Sequence, residues 1–209
     1  VHDVFVSNRY DSLDALPQGA CVGTSSLRRR AQLLAYRPDL TVRDLRGNVD
    51  TRLKKLDDGE YDAIILAEAG LTRLGLTDRI TQLLPTDTVI PAVGQGALAI
   101  ETRADDEELK QALAFLCDPG TTAATTAERA FLAAINGSCQ VPVGVYGKAK
   151  DGQLTLSGII AAPGASRVFR HTATGPVSDS RALGQEAAKT LLDEGGRQIL
   201  TDLGITPAE

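Results

Sequence analysis

Tryptophan and methionine are absent from the 209 residues, and histidine occurs only at His2 and His171. The three cysteines, Cys21, Cys117 and Cys139, are an odd number, widely spaced and without a CxxC pair, so neither a disulfide framework nor a zinc site is suggested. Two histidines leave a histidine-based metal site little to work with. No stretch approaches the roughly 18 apolar residues of a membrane helix, and the N-terminus lacks the basic and apolar regions of a signal peptide, which makes the cytoplasm the default expectation. Repeats and low-complexity tracts are missing too. With Val1 in place of an initiator methionine, the chain reads as an internal or processed piece of a longer one.

What is present is ordinary in bulk and uneven in charge. Apolar residues make up 43% and charged residues 23%, values that allow a real core and exclude wholesale disorder. The length allows two modest domains of roughly 100 residues each. Net charge is −5, yet 11 of the 22 Lys and Arg residues fall within 28–79, beside 9 acidic residues. A basic segment inside an acidic protein favours a localised site for small anions over a nucleic-acid or membrane surface.

Along 21–66, short β-like runs alternate with helical stretches, the pattern of an α/β unit built around parallel strands. A strand end at 21–23 leads through Thr24, Ser25 and Ser26, which can cap a helix over 27–35. A strand over 40–45, a helix over 49–56, a buried strand over 63–66 and a short helix to Leu74 follow. The stretch 89–99 carries Pro91, Gly94 and Gly96 and reads as a hinge, with a strand-like run at 97–101. Helices are expected over 106–116 and 121–135, the second closed by Asn136 and Gly137. Strands over 143–148 and 153–160 are joined at Asp151 and Gly152, a strong type I′ hairpin signal. A third strand over 168–174 and helices over 179–192 and 196–203 complete a small α+β domain.

Three segments have chemical potential. In GTSSLRRR, 23–30, free N–H groups, three hydroxyls and the helix dipole favour an anion, and Arg28 and Arg29 add forks suited to carboxylate or phosphate. A capped helix with solvated arginines is the commoner reading of such a segment alone, and the lysine of a Walker motif is missing. Arg46 and Arg52 in LRGNVDTRL, with Arg73 in AGLTRLG, strengthen the anion reading, because strand ends are where open α/β sheets hold ligands. A ligand needing so many cations should carry several carboxylates or phosphates. In NGSCQVP, 136–142, Cys139 follows a helix end in a loop of small residues, either as an accessible thiol or as an incidental one. In PAVGQGALAIE, 91–101, glycines permit a hinge near a ligand or simply an ordinary turn.

Taken in order, VGTSSLRRR, LRGNVDTRLKKLDDGEYDAIILAEAGLTRLG, PAVGQGALAIE, TAERAFL and NGSCQVPVG resemble the porphobilinogen deaminase family over nearly the whole chain. The resemblance implies a periplasmic-binding-protein-like α/β domain, a mostly parallel sheet with helices on both faces, followed by a small α+β domain. It divides the chain into 1–90, a second domain with the arginine-rich site; 91–118, a segment returning to a first domain upstream; and 119–209, the domain carrying the cofactor cysteine. It further implies that Cys139 forms a thioether to a dipyrromethane cofactor. Thr24, Ser25, Ser26, Arg28, Arg29, Ala67 and Gly70 would lie on the cofactor, and Arg46, Arg52, Arg73 and Gln95 on the substrate.

The implied reaction is a transferase reaction: four porphobilinogen units are joined, with loss of ammonia, into hydroxymethylbilane for tetrapyrrole and haem biosynthesis. Each pyrrole brings two carboxylates, so a growing oligopyrrole is a polyanion that needs permanently protonated partners. The family's catalytic aspartate would lie upstream of Val1, leaving no catalytic residue in this chain and making it inactive alone. Residues 91–118 would then expose apolar surface until an N-terminal part, as another stretch of chain or a separate one, covers it. The full-length enzyme is expected to be monomeric, without metal, nucleic acid or membrane as partners. A two-lobed solute-binding module for a small polyanion is the alternative, although it needs neither the Cys139 loop nor the α+β domain; a phosphate-handling enzyme is weaker still.

Overall fold

The computed structural model describes residues 1–136 and 141–207. The N-terminal unit is a five-stranded mixed sheet in the order β3-β2-β4-β1-β5: β1 (Asp3–Val6), β2 (Cys21–Gly23), β3 (Thr41–Arg43), β4 (Ala63–Ala67) and β5 (Gln82–Leu83). Strand β2 pairs parallel with β3 and β4, whereas β1 runs antiparallel to β4 and β5. The expectation of a mostly parallel sheet is thus corrected to a mixed one. The period-2 pleat splits the apolar residues between two faces. Phe5, Val22, Ala63 and Ile65 pack with Leu33 of α1 (Leu27–Tyr36). Val4, Val6, Ile64 and Leu66 pack with Leu53 and Leu56 of α2 (Val49–Asp57) and Leu71 of α3 (Glu68–Arg73).

Helix starts follow local chemistry. The Ser26 side chain accepts from the Arg29 N–H at the head of α1, and Asn48 accepts from Thr51 N–H at 2.9 Å at the head of α2. After the sheet, the 97–101 stretch forms no strand, contrary to its reading. Its alternating side chains have no sheet to join within the described residues, and Leu98 and Ile100 are exposed. Helix α4 (Glu107–Leu113) and a 3-10 turn (Ala114–Leu116) follow, with Phe115 81% exposed.

Helix α5 (Pro119–Ala134) opens on Asp118, whose carboxylate accepts from Thr121 N–H at 2.7 Å, with Pro119 in the first turn. The antiparallel sheet β6 (Val143–Lys150), β7 (Gln153–Ala161) and β8 (Val168–Pro176) follows in that order. Asp151 and Gly152 both have positive φ, 50° and 76°, as a tight primed turn requires. Helix α6 (Ser180–Leu191), a kinked link (Leu192–Gly196) in which Gly195 takes φ 128°, and α7 (Arg197–Asp202) complete the unit. On one sheet face α5 and α6 bury Phe131, Ile135, Leu154, Leu156 and Leu191; each such side chain contributes about 1.5–3 kcal/mol. Toward the N-terminal unit, Ile159 and Ala161 pack with Ala31 of α1 and with Ile90. No helix among the described residues is long and apolar enough to cross a membrane.

Candidate active site

Parallel strands β2, β3 and β4 end on the same side of the sheet, at Gly23, Arg43 and Ala67, and the antiparallel β1 begins there, with Asp3 opposite Ala67. The segments that leave these ends carry Thr24, Ser25 and Ser26, then Arg46, then Gly70 and Arg73. Topology therefore gathers at one edge residues that are up to 49 positions apart in sequence.

The centre of that edge is an ion cluster. Asp3, 0% exposed, receives Arg28 Nη1 on Oδ2 at 2.6 Å, and Arg29 Nε and Nη2 on Oδ1 at 2.9 and 2.7 Å. Arg28 and Arg29 are themselves buried, 5% and 8% exposed, and donate further to the carbonyls of Ile90 at 2.7 Å and Ile65 at 3.2 Å. Burial alone would raise the Asp3 pKa, but the fields of Arg29 and Arg28 and their hydrogen bonds outweigh it and hold it below the usual carboxylate value. Arg28 is pulled down by burial, with Asp3 opposing. One carboxylate faces two guanidiniums, so the cluster keeps a net positive charge. Gln95 closes it: its Oε1 accepts from Arg28 Nη2 at 3.3 Å while Nε2 donates to Asp3 Oδ1 at 3.1 Å and to the Val1 carbonyl at 2.6 Å.

The hydroxyls of the turn are spent on local structure. Thr24 Oγ1 accepts from Ser26 N–H at 3.2 Å, Ser25 Oγ donates to the Leu45 carbonyl at 3.0 Å, and Ser26 caps α1. The outer arginines are differently disposed. Arg46 is 83% exposed, and its only ion-pair contact among the described residues is with Asp44 at 3.9 Å. Arg52 donates from Nε to the Gly47 carbonyl at 2.8 Å; burial first, then the positive field of Arg29, lower its pKa. Arg73 is exposed and, like Arg52, makes no ion pair among the described residues. A groove of about 800 Å³ between α3 and 96–98 is lined by Gly70, Arg73, Gly96 and Leu98. Half-buried Ala67 precedes it. Cys139 lies outside the described residues. Sequence reasoning missed Asp3, because nothing local to DVFV shows that this carboxylate is buried against arginines 25 and 26 positions away.

Two family models match the chain: "Porphobilinogen deaminase, dipyromethane cofactor binding domain" over residues 1–111 and "Porphobilinogen deaminase, C-terminal domain" over 122–193. The chain belongs to the porphobilinogen deaminase family. A porphobilinogen deaminase of Chromobacterium violaceum is 56% identical over 198 residues, 95% of this chain. The chain spans 64% of the length of that curated relative. The residues of the cationic edge all lie within the stretch matched by the porphobilinogen deaminase cofactor-binding model.

Proposed function

We propose that this chain supplies the cofactor- and substrate-holding parts of a hydroxymethylbilane synthase, a transferase that joins four porphobilinogen units with release of ammonia. The observation that carries the reading is the surplus of positive charge at the strand ends: Arg28 and Arg29 share one carboxylate, while Arg52 lies in the field of Arg29 and Arg46 and Arg73 stand at the surface. A linear pyrrole chain, with two carboxylates per ring, fits such a donor set, because guanidinium forks bind carboxylates in pairs and stay charged.

In this reading the dipyrromethane, joined through a thioether to Cys139, supplies the pyrrole end on which the chain is extended. Arg46, Arg52 and Arg73 hold acetate and propionate groups, Arg28 and Arg29 provide the positive field, and Thr24, Ser25, Ser26, Ala67 and Gly70 form the adjoining wall. Gln95 ties the 91–118 segment to the cluster and sets the site's inner end. Asp3 is committed to Arg28 and Arg29, so it does not serve as the proton-transfer carboxylate. In this reading that group lies outside this chain, in a further part of the enzyme that would also cover the exposed Leu98, Ile100, Phe115 and Leu116. Residues 1–90, 91–118 and 119–209 are then the second domain, the return to the first and the third domain of a monomeric, cytoplasmic enzyme.

The test is turnover of porphobilinogen. Full-length protein should form hydroxymethylbilane, the 1–209 chain alone should form none, and Arg46→Gln, Arg52→Gln and Arg73→Gln should each lower kcat/KM by about 10- to 100-fold, the value of one charge-assisted hydrogen bond. Full activity in all three variants would contradict the reading.

A further inference from the structure

Residues 87–91 run along the seam between the two units, and three elements hold them there by polar contacts. From α1, the Gln32 side chain, 1% exposed, pairs with the Ile90 backbone in both directions: Nε2 donates to the Ile90 carbonyl at 3.0 Å and the Ile90 N–H donates to Oε1 at 2.8 Å. Arg28, one turn earlier on the same helix, donates to that carbonyl too, at 2.7 Å. From β6, Val145 N–H donates to the Pro91 carbonyl at 3.1 Å. From β8, the Arg170 guanidinium donates to the carbonyls of Asp87 at 2.6 Å and Thr88 at 3.1 Å, and reaches Gln32 Oε1 at 3.5 Å.

The chemistry of these side chains suits the task. A side-chain amide carries a donor and an acceptor together, so Gln32 can do for Ile90 what a neighbouring strand would do. Arg170 offers several N–H groups in a fixed plane, which lets it hold two successive carbonyls while its stem stays on the edge strand. Burial lowers the Arg170 pKa, although the side chain stays exposed and its contacts lie at the solvent rim of the seam. Beside them the packing is tight: a methyl group on Gly144 would meet the Ile90 and Pro91 carbonyl oxygens at 2.8 and 2.9 Å. The start of the 89–99 stretch, read from sequence as a hinge, is therefore held from both sides.

We infer that Gln32 and Arg170 are positioning residues that clamp 87–90 between α1 and β8, and so fix the cationic start of α1 relative to the C-terminal unit that bears Cys139. The consequence for turnover rests on the function proposed above; the clamp itself does not. In the full-length protein, Arg170→Met should raise the hydrogen-exchange rate of the Ile90 amide about tenfold. It should also lower kcat of the folded enzyme about tenfold with a small change in melting temperature, and Arg170→Lys should recover part of both. Gln32→Leu should give the same exchange signature, and if that variant fails to fold the Arg170 pair decides alone. Unchanged exchange at Ile90 in Arg170→Met overturns the clamp. Faster exchange with unaltered kcat overturns the positioning role. If wild-type protein makes no hydroxymethylbilane, the proposed function fails, and exchange at Ile90 still decides the clamp.

Discussion

Asp3 balances two guanidiniums where little water reaches any of the three groups. An ion cluster of this kind gains little over an apolar core of the same shape, but removing one member leaves the others charged and unpaired. Asp3→Asn should therefore cost about 3–5 kcal/mol in chemical denaturation, much more than loss of an exposed pair such as Arg103 with Asp105. The pH dependence has a definite sign. Folding lowers the Asp3 pKa below 3.8, so its contribution is complete above that value and is lost as pH falls through the lower folded one. The stability gap between wild type and Asp3→Asn should accordingly be constant near neutrality and close only in strong acid; a gap that closed between pH 5 and 7 would contradict the cluster. From sequence, the arginines of GTSSLRRR stood out as a site for anions. That their first anion is an internal carboxylate was not legible, because the partner lies 25 and 26 positions away on a strand that went unread.

Elements were legible wherever local chemistry alone decides them. Capping hydroxyls at Ser26, the Asn48 turn and the Asp151–Gly152 hairpin each set a boundary within a residue or two. Strand β1 was not legible, because four residues buried on both faces show no alternation and no turn residue precedes them. The 97–101 run shows the opposite failure: it has the alternation of a strand, but no strand among the described residues is placed to pair with it. Close helix packing was equally hidden. Helices α5 and α6 meet at Gly184, where an added methyl would overlap the carbonyl oxygen of Ala127. Backbone cannot yield as a flexible side chain does, so Gly184→Ala should cost about 1–3 kcal/mol in thermal unfolding of the C-terminal unit. A neutral result would mean that the two helices sit farther apart.

For the molecule as a whole, two observations point the same way. Apolar side chains from Leu98 to Leu116 face solvent although the rest of the core is well buried, and the chain spans only 64% of its relative. On the function proposed above, the cationic edge is the portion of the site that this chain supplies, and the open apolar surface is where a further portion would pack. Its cysteine, Cys139, is the group that would make the ligand permanent, and a covalent adduct is visible without any assay of turnover. The intact denatured mass of full-length wild type and Cys139→Ser, with digestion to map the modified peptide, is the deciding measurement. An oligopyrrole on the Cys139 peptide of wild type, absent from the serine variant, is the expected result. An unmodified Cys139 thiol in protein that turns over porphobilinogen would contradict it.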